Sequence, residues 1–240
     1  MGISIIIPYK KDAGHRDKIL DWNTKRYEEI VCPYLKDRDC DFELILEEDT
    51  NNIFYKTRIL NRAVKKASKD ILLFADMDMV FDPEILMKGI EAASKHRGII
   101  HLGKYLHRLT RKKTEEILMG DVNVEINITQ EDSELTSSTM PAGLVVLLKD
   151  SFYKVNEMDE RFYGWGAEDS AFNCAMVAIV EQSVRIQGDV YHLWHPREKQ
   201  QSIAQGHFER NRRLFRRYAR LVKDKKNMLK LVNEDKNKMR

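Results

Sequence analysis

Three short apolar runs constrain this chain more than anything else in it. Ile3-Ser4-Ile5-Ile6-Ile7 is β-branched and is followed by Pro8, which reads as a buried strand with its end placed by the proline. Phe42 to Leu46 repeats the pattern, and so does Ile71 to Ala75. Between the second and third runs, Ile59, Leu60, Ala63, Val64 and Ala67 recur at helical spacing. Strands alternating with helical segments predict an α/β domain with a mainly parallel sheet flanked by helices.

The pattern continues. Asp82-Pro83 starts a helix, with Asp82 as N-cap and Pro83 in the first position, and the helix extends to about Lys95. Ile99 to Leu102 reads as a strand, Leu144 to Leu148 as another, and Asp150 to Val155 as a short helix. Glu168 to Val180 has Ala171, Phe172, Ala175, Met176 and Ile179 on one helical face. Val184 to Ile186 and Val190 to Leu193 are short strands. Gly103 to Pro141 is polar and weakly periodic, with helical character only at Lys112 to Leu118. Its length makes it a candidate lid facing an acceptor.

Charge divides the chain into a body, residues 1–204, and a basic helical tail, residues 205–240. From His207 onward there are thirteen Lys/Arg and four Asp/Glu. The whole chain is only +3, so the body is mildly acidic, at −6. In the tail, Phe208, Phe215, Tyr218, Val222 and Leu229 suggest one apolar stripe, and Arg212-Arg213 and Arg216-Arg217 recur four residues apart. The tail is expected to be an appendage: a helix docked by its stripe, or a patch for an anionic partner such as DNA, a membrane surface or an acidic glycan. Three cysteines with no CxxC pair argue against a disulfide framework, and no stretch approaches the ~20 apolar residues that span a bilayer. A cytoplasmic location is the expectation.

Three segments carry candidate chemistry. Asp76-Met77-Asp78 follows the third strand directly, where parallel α/β sheets bind ligands. Two carboxylates two residues apart can hold a hard cation and substrate oxygens; a solvated acidic turn is the plainer reading. Tyr191-His192-Leu193-Trp194-His195-Pro196 puts two imidazoles three residues apart at a strand end; either alone reads as a hydrogen-bonded turn residue, but together with the acidic pair mixed carboxylate and imidazole ligation suits manganese. Gly164-Trp165-Gly166-Ala167-Glu168-Asp169 joins a tryptophan to two acids that open a helix. The acids alone read as a dipole-favoured helix start. A tryptophan face beside carboxylates also suits a sugar ring, and such a carboxylate can take a hydroxyl proton.

These segments, with Ile5-Ile6-Ile7-Pro8-Tyr9, occur in the order and spacing of inverting GT-A-fold glycosyltransferases. The chain resembles the family-two enzymes, and the C-terminal region shared by β-1,4-galactosyltransferases and polypeptide N-acetylgalactosaminyltransferases, over about residues 3 to 197. The resemblance implies a GT-A (Rossmann-like) fold, a nucleotide-sugar donor, UDP favoured, and a divalent metal, Mn2+ or else Mg2+. It implies nucleotide contacts at Pro8, Tyr9, Arg58, Asn61, Asp76 and Met77, and at one of Glu47, Glu48 and Asp49, of which Glu48 is taken as the candidate. Asp78, His192 and His195 match metal ligands, with Asp76 contacting either ribose or metal. Trp165, Gly166 and Glu168 match the acceptor and sugar site, and Asp169 the catalytic base. The segment Glu47-Glu48-Asp49 departs from the family's aspartate pair. The competing expectation is a non-catalytic nucleotide-, sugar- or nucleic-acid-binding protein, which would have no use for Asp169.

Overall fold

The computed structural model describes residues 2–123, 126–137, 143–164, 166–196 and 206–234. Its main sheet has six strands in the order β2-β1-β3-β8-β5-β9. They are β1 (Gly2–Tyr9), β2 (Asp41–Glu48), β3 (Ile71–Ala75), β5 (Ile100–His101), β8 (Leu144–Leu148) and β9 (Val184–Arg185). β2, β1 and β3 are parallel, as are β5 and β9, while β8 runs antiparallel between β3 and β5. Every residue of β3 and β8 is buried, as expected of strands covered on both faces.

Pro8 does not end the first strand. β1 continues to Tyr9, paired with β2 alone, because the β1–β3 ladder stops where Ile6 meets Phe74. The proline's missing N–H therefore sits where only one neighbour remains to pair.

Helices cover both faces. On one, α1 (His15–Arg26) passes through a π-turn (Tyr27–Val31) into α2 (Cys32–Lys36), and α4 (Pro83–Ala93) follows β4 (Met79–Phe81). α4 starts as expected: the Asp82 carboxylate accepts from the Glu84 amide and Pro83 fills the first turn. On the other face, Leu60, Ala63 and Val64 of α3 (Lys56–Lys66), and Phe152 of α6 (Lys149–Lys154), pack with Phe172 and Met176 of α7 (Glu168–Ile179). A fully buried side chain of this size contributes roughly 1.5–3 kcal/mol, so these two cores carry the fold.

The segment expected to be irregular builds a second sheet. β6 (Tyr105–Leu109) and β7 (Ser133–Ser137), separated by α5 (Arg111–Met119), join β10 (Asp189–His192) and β4 in the order β4-β10-β6-β7. Leu109 and Val122 are buried there with Ile19 and Trp22 of α1.

The tail docks on the body by a buried apolar face, in which Phe215 and Tyr218 of the expected stripe take part. α8 (His207–Leu221) and α9 (Lys225–Val232) bury Leu214, Tyr218, Met228, Leu231 and Val232 in the α7-side core. The Arg161 guanidinium, itself buried, pairs with Asp159 and Glu234 and donates to the Leu231 carbonyl. Among the described residues, no helix is long and apolar enough to cross a membrane.

Candidate functional site

Strand pairing explains why residues over a hundred positions apart meet. β4 begins one residue after Asp78, and its Met79 pairs antiparallel with His192 of β10. The Leu193 amide then donates to the Asp78 carbonyl at 2.8 Å. One ligand atom each from Asp78, His192 and His195 lies within 4.8 Å of the others. Asp78 Oδ2 is 2.9 Å from His195 Nε2, and Oδ1 is 3.8 Å from His192 Nε2, with the imidazoles stacked 5.4 Å apart. His195 Nδ1 donates to the Pro196 carbonyl at 2.8 Å, which directs Nε2 inward.

This donor set fits a divalent cation. Asp78 is 7% exposed and its Oδ1 has no hydrogen-bond partner, an unsatisfied buried acceptor that a cation would satisfy. Burial opposes ionisation of Asp78, yet the flanking imidazoles and Lys56 hold its carboxyl far below the usual carboxylate range. Burial pushes His192 down. His195 is also buried, but its bond to Asp78 prevails and raises it.

Lys56, which the resemblance does not assign, links this cluster to the candidate base. Its Nζ lies 2.8 Å from Asp76 Oδ1 and 3.2 Å from Asp169 Oδ2, with the lysine side chain only 10% exposed. Burial disfavours the ammonium, but Asp169 and Asp76 raise its pKa nonetheless. Burial raises Asp76 to about 6 despite Lys56, with Asp78 and Asp169 adding to the rise. Asp76 also receives close support from behind: a Cβ at Gly143 would stand 2.3 Å from Asp76 Oδ2. A side chain there would push the Asp76 carboxylate out of its place.

The segment before α7 is tightly wound. Gly164 and Gly166 have positive φ, and so does Ala167, at +69°, a strained backbone for a residue with a side chain. This turn places Glu168 and Asp169 at the helix start, and the Gly166 amide donates to Glu168 Oε2 at 3.0 Å. Burial and the neighbouring Asp169 push Glu168 up to about 7. Trp165 lies outside the described residues. Helix α8 closes over this turn: the Asn211 side chain bonds the Tyr163 amide and carbonyl, and a Cβ at Gly166 would meet Phe208 at 3.0 Å.

The nucleotide candidates divide. Pro8 and Tyr9 end β1, and the Tyr9 hydroxyl donates to Glu48 Oε2 at 3.2 Å. Glu47 is buried against Arg62 and Lys66, and Asp49 accepts the Asn51 and Tyr55 amides, so Glu48 is the acid left accessible. Met77 turns its side chain into the core, and its carbonyl accepts from Asn23. Asn61 is not brought to the cluster. It is buried and clamps Met158 by amide and carbonyl while donating to Glu160. Arg58 lies on the exposed face of α3.

Sequence reasoning missed further supporting residues. The Thr114 hydroxyl accepts from the Trp194 amide, His15 meets the Trp194 carbonyl, and Arg16 donates to the Pro196 carbonyl, all bracing the His192–His195 turn. One signal did exist for Lys56. A lysine opening a helix opposes the dipole and calls for acidic partners.

Residues 123–196 match a family model described as the N-terminal domain of galactosyltransferase. No curated protein matches the chain. Among solved structures, it is similar to the catalytic domain of Drosophila β1,4-galactosyltransferase 7 in complex with xylobiose, at 16% identity and a TM-score of 0.51. That match covers 77% of this chain and 64% of the other, so the chain spans slightly less than two thirds of that structure's length. It is also similar to a mutant of the same Drosophila enzyme in complex with manganese, UDP-Gal and xylobiose, at 16% identity and a TM-score of 0.54. There 83% of this chain and 73% of the other are covered. At this identity the likeness shows the fold: a sheet flanked by helices in the GT-A arrangement.

Proposed function

Because the chain has the GT-A fold of glycosyltransferases, we propose that it is an inverting, metal-dependent glycosyltransferase that moves a hexose from a nucleotide-sugar, a UDP-sugar by preference, to an acceptor hydroxyl. One observation carries this reading. Lys56 ties Asp169 to Asp76, two residues from Asp78, which meets His192 and His195. A proton acceptor and a cation-binding set are thus held on one rigid frame.

Asp78, His192 and His195 would hold the cation, Mn2+ best suiting one carboxylate and two imidazoles, with Mg2+ the alternative. When bound, it neutralises charge on the leaving diphosphate. Pro8, Tyr9 and Glu48 line the strand ends where base and ribose would lie, with Asp76 and the Met77 backbone beside them. Arg58, exposed on α3, would remain free to reach the nucleotide, whereas the Asn61 amide is used in holding Met158.

Trp165, Gly166 and Glu168 would form the acceptor side. Glu168, raised to about 7, can either accept or donate a hydrogen bond to a sugar hydroxyl near neutral pH. Asp169 takes the acceptor proton as the oxygen attacks the anomeric carbon. The C–O bond to the diphosphate breaks on the opposite face, which inverts the centre. Lys56 holds the Asp169 carboxylate in place for that transfer, and positioning contributes much of the acceleration.

The test is incubation with UDP- and GDP-sugars, Mn2+ and hydroxyl acceptors, with nucleotide release measured and the product's anomeric configuration read by NMR. The expected result is release with a UDP-sugar, abolished by chelation, and a product of inverted configuration. A retained configuration, or donor binding without release for every donor, would contradict the proposal; the latter favours a non-catalytic binding protein.

A further inference from the structure

The arginines of α8 have no part in the chemistry above, yet they begin beside it. Phe208 lies against Gly166, and the Arg212 guanidinium stands 5.8 Å over the Phe208 ring. From there Arg212, Arg216 and Arg220 follow at four-residue steps, about 6 Å apart on a helix. Arg213 and Arg217 form a second row alongside. All five are exposed. Glu209 is the acid nearest three of them, and it stands 3.6 to 3.9 Å from Arg212, Arg213 and Arg216. Among the described residues, Arg217 has the shortest ion pair of the five, to Glu234.

Like charges four residues apart weaken a helix. Glu209 and Glu234 offset only part of that repulsion among the five arginines, and α8 is held by its opposite side, through Asn211, Leu214 and Tyr218. We propose that this arginine ridge is a docking track for an anionic acceptor glycan, a chain bearing carboxylates, sulfates or phosphodiesters. Its terminal sugar would sit at the Gly166–Glu168 turn while the rest runs out along α8. The proposal rests on the transferase reading and adds the class of acceptor.

One feature favours a glycan over other polyanions: the ridge starts in contact with the acceptor segment, through Phe208 against Gly166. A membrane-surface helix needs a free apolar face, whereas the apolar side of α8 is consumed by the core. Guanidinium groups suit paired recognition of carboxylate, sulfate and phosphate oxygens.

The experiment is direct binding by the whole chain, with no donor present. The probes are a heparin-derived dodecasaccharide, a neutral dextran oligomer of equal length, phosphatidylglycerol vesicles and a short DNA duplex. Each is titrated between 50 and 200 mM NaCl. Arg212→Glu/Arg216→Glu/Arg220→Glu is compared with the wild type, and the milder triple glutamine variant guards against a folding defect. The wild type should bind the sulfated glycan best. In the glutamine variant the slope of log affinity against log salt should fall by about 2 to 3, from roughly 0.7–0.9 per arginine removed. UDP and Mn2+ binding and transfer to a neutral acceptor should not change. No glycan binding, equal binding by the variants, or tighter binding of duplex or vesicle would overturn the ridge proposal. Because binding is read without turnover, an inactive protein with ridge-dependent glycan binding would sink the transferase reading alone.

Discussion

Lys56→Met removes the cation that joins Asp76 to Asp169 and leaves two carboxylates facing each other. Hydrogen bonds to charged groups contribute about 1.5–3 kcal/mol each, and removing one partner of a buried pair costs about 3–5 kcal/mol. The Asp76 and Asp169 side chains are 32% and 24% exposed, so water recovers part of the loss. A destabilisation of about 2–3 kcal/mol follows, which for a domain of this size lowers Tm by roughly 5–10 °C. The sign of the pH dependence also follows. Asp76 already titrates near 6, above its unfolded value, so the folded chain binds more protons in that window and is destabilised as pH rises through it. Without Lys56 that effect grows, so the variant should lose more stability at pH 8 than at pH 5.5, where Asp76 takes a proton. Thermal melts followed by circular dichroism at both pH values test this. A Tm within about 1 °C of wild type, or an equal loss at both pH values, would refute the buried ion-pair argument.

Other predictions concern the neighbouring groups. A cation must displace the proton from His195, whose imidazole is raised by Asp78, so Mn2+ should bind more weakly at pH 6 than at pH 8. Asp78→Ala should abolish that binding in an isothermal titration; a pH-independent affinity would count against the ligand set. Glu168 titrates near 7 in the fold and lower when unfolded, so stability should decline as pH rises from about 4.5 to 7. Glu168→Gln should shrink the decline to the part that Asp76 contributes and melt higher than wild type at pH 8 while raising the acceptor KM; an unchanged pH profile of Tm would show Glu168 to be unperturbed. Asn211→Ala leaves the Tyr163 amide and carbonyl without partners, at a cost of about 1–3 kcal/mol. It should raise the acceptor KM and leave UDP binding intact, and weakened UDP binding would place α8 on the donor side instead.

Much of the frame was legible because its strands are dense apolar runs. Ile71–Ala75 and Leu144–Leu148 have the expected bounds. The second sheet was not legible, since β4 has three residues and β6 places polar His107 and Arg108 in a strand. Their pairing comes from contacts distant in sequence. The tail's helicity was visible, and so was part of its buried face, since Phe215 and Tyr218 do pack on the core. Asn211 sits at the centre of the contact, and a break before Asp224 resets the register, so Met228 and Leu231 turn inward while Leu229 stays exposed.

The site shows the same division. Asp78, His192 and His195 were each weak signals alone and gained weight only in combination, and strand pairing brings them together. Only its place at a helix start marked Lys56, because its partners lie 20 and 113 positions away. Asn61 looked like a helix residue facing a ligand, but burial gives its amide a structural use in holding Met158.

The central claim is that Asp169 is the proton acceptor. Asp169→Asn keeps an oxygen for Lys56 but loses basicity, so the most direct measurement pairs sugar transfer with Mn2+-dependent UDP binding in that variant. The account predicts a fall in transfer of about 10²–10⁴-fold with nucleotide binding unchanged. Transfer at the wild-type rate would contradict it.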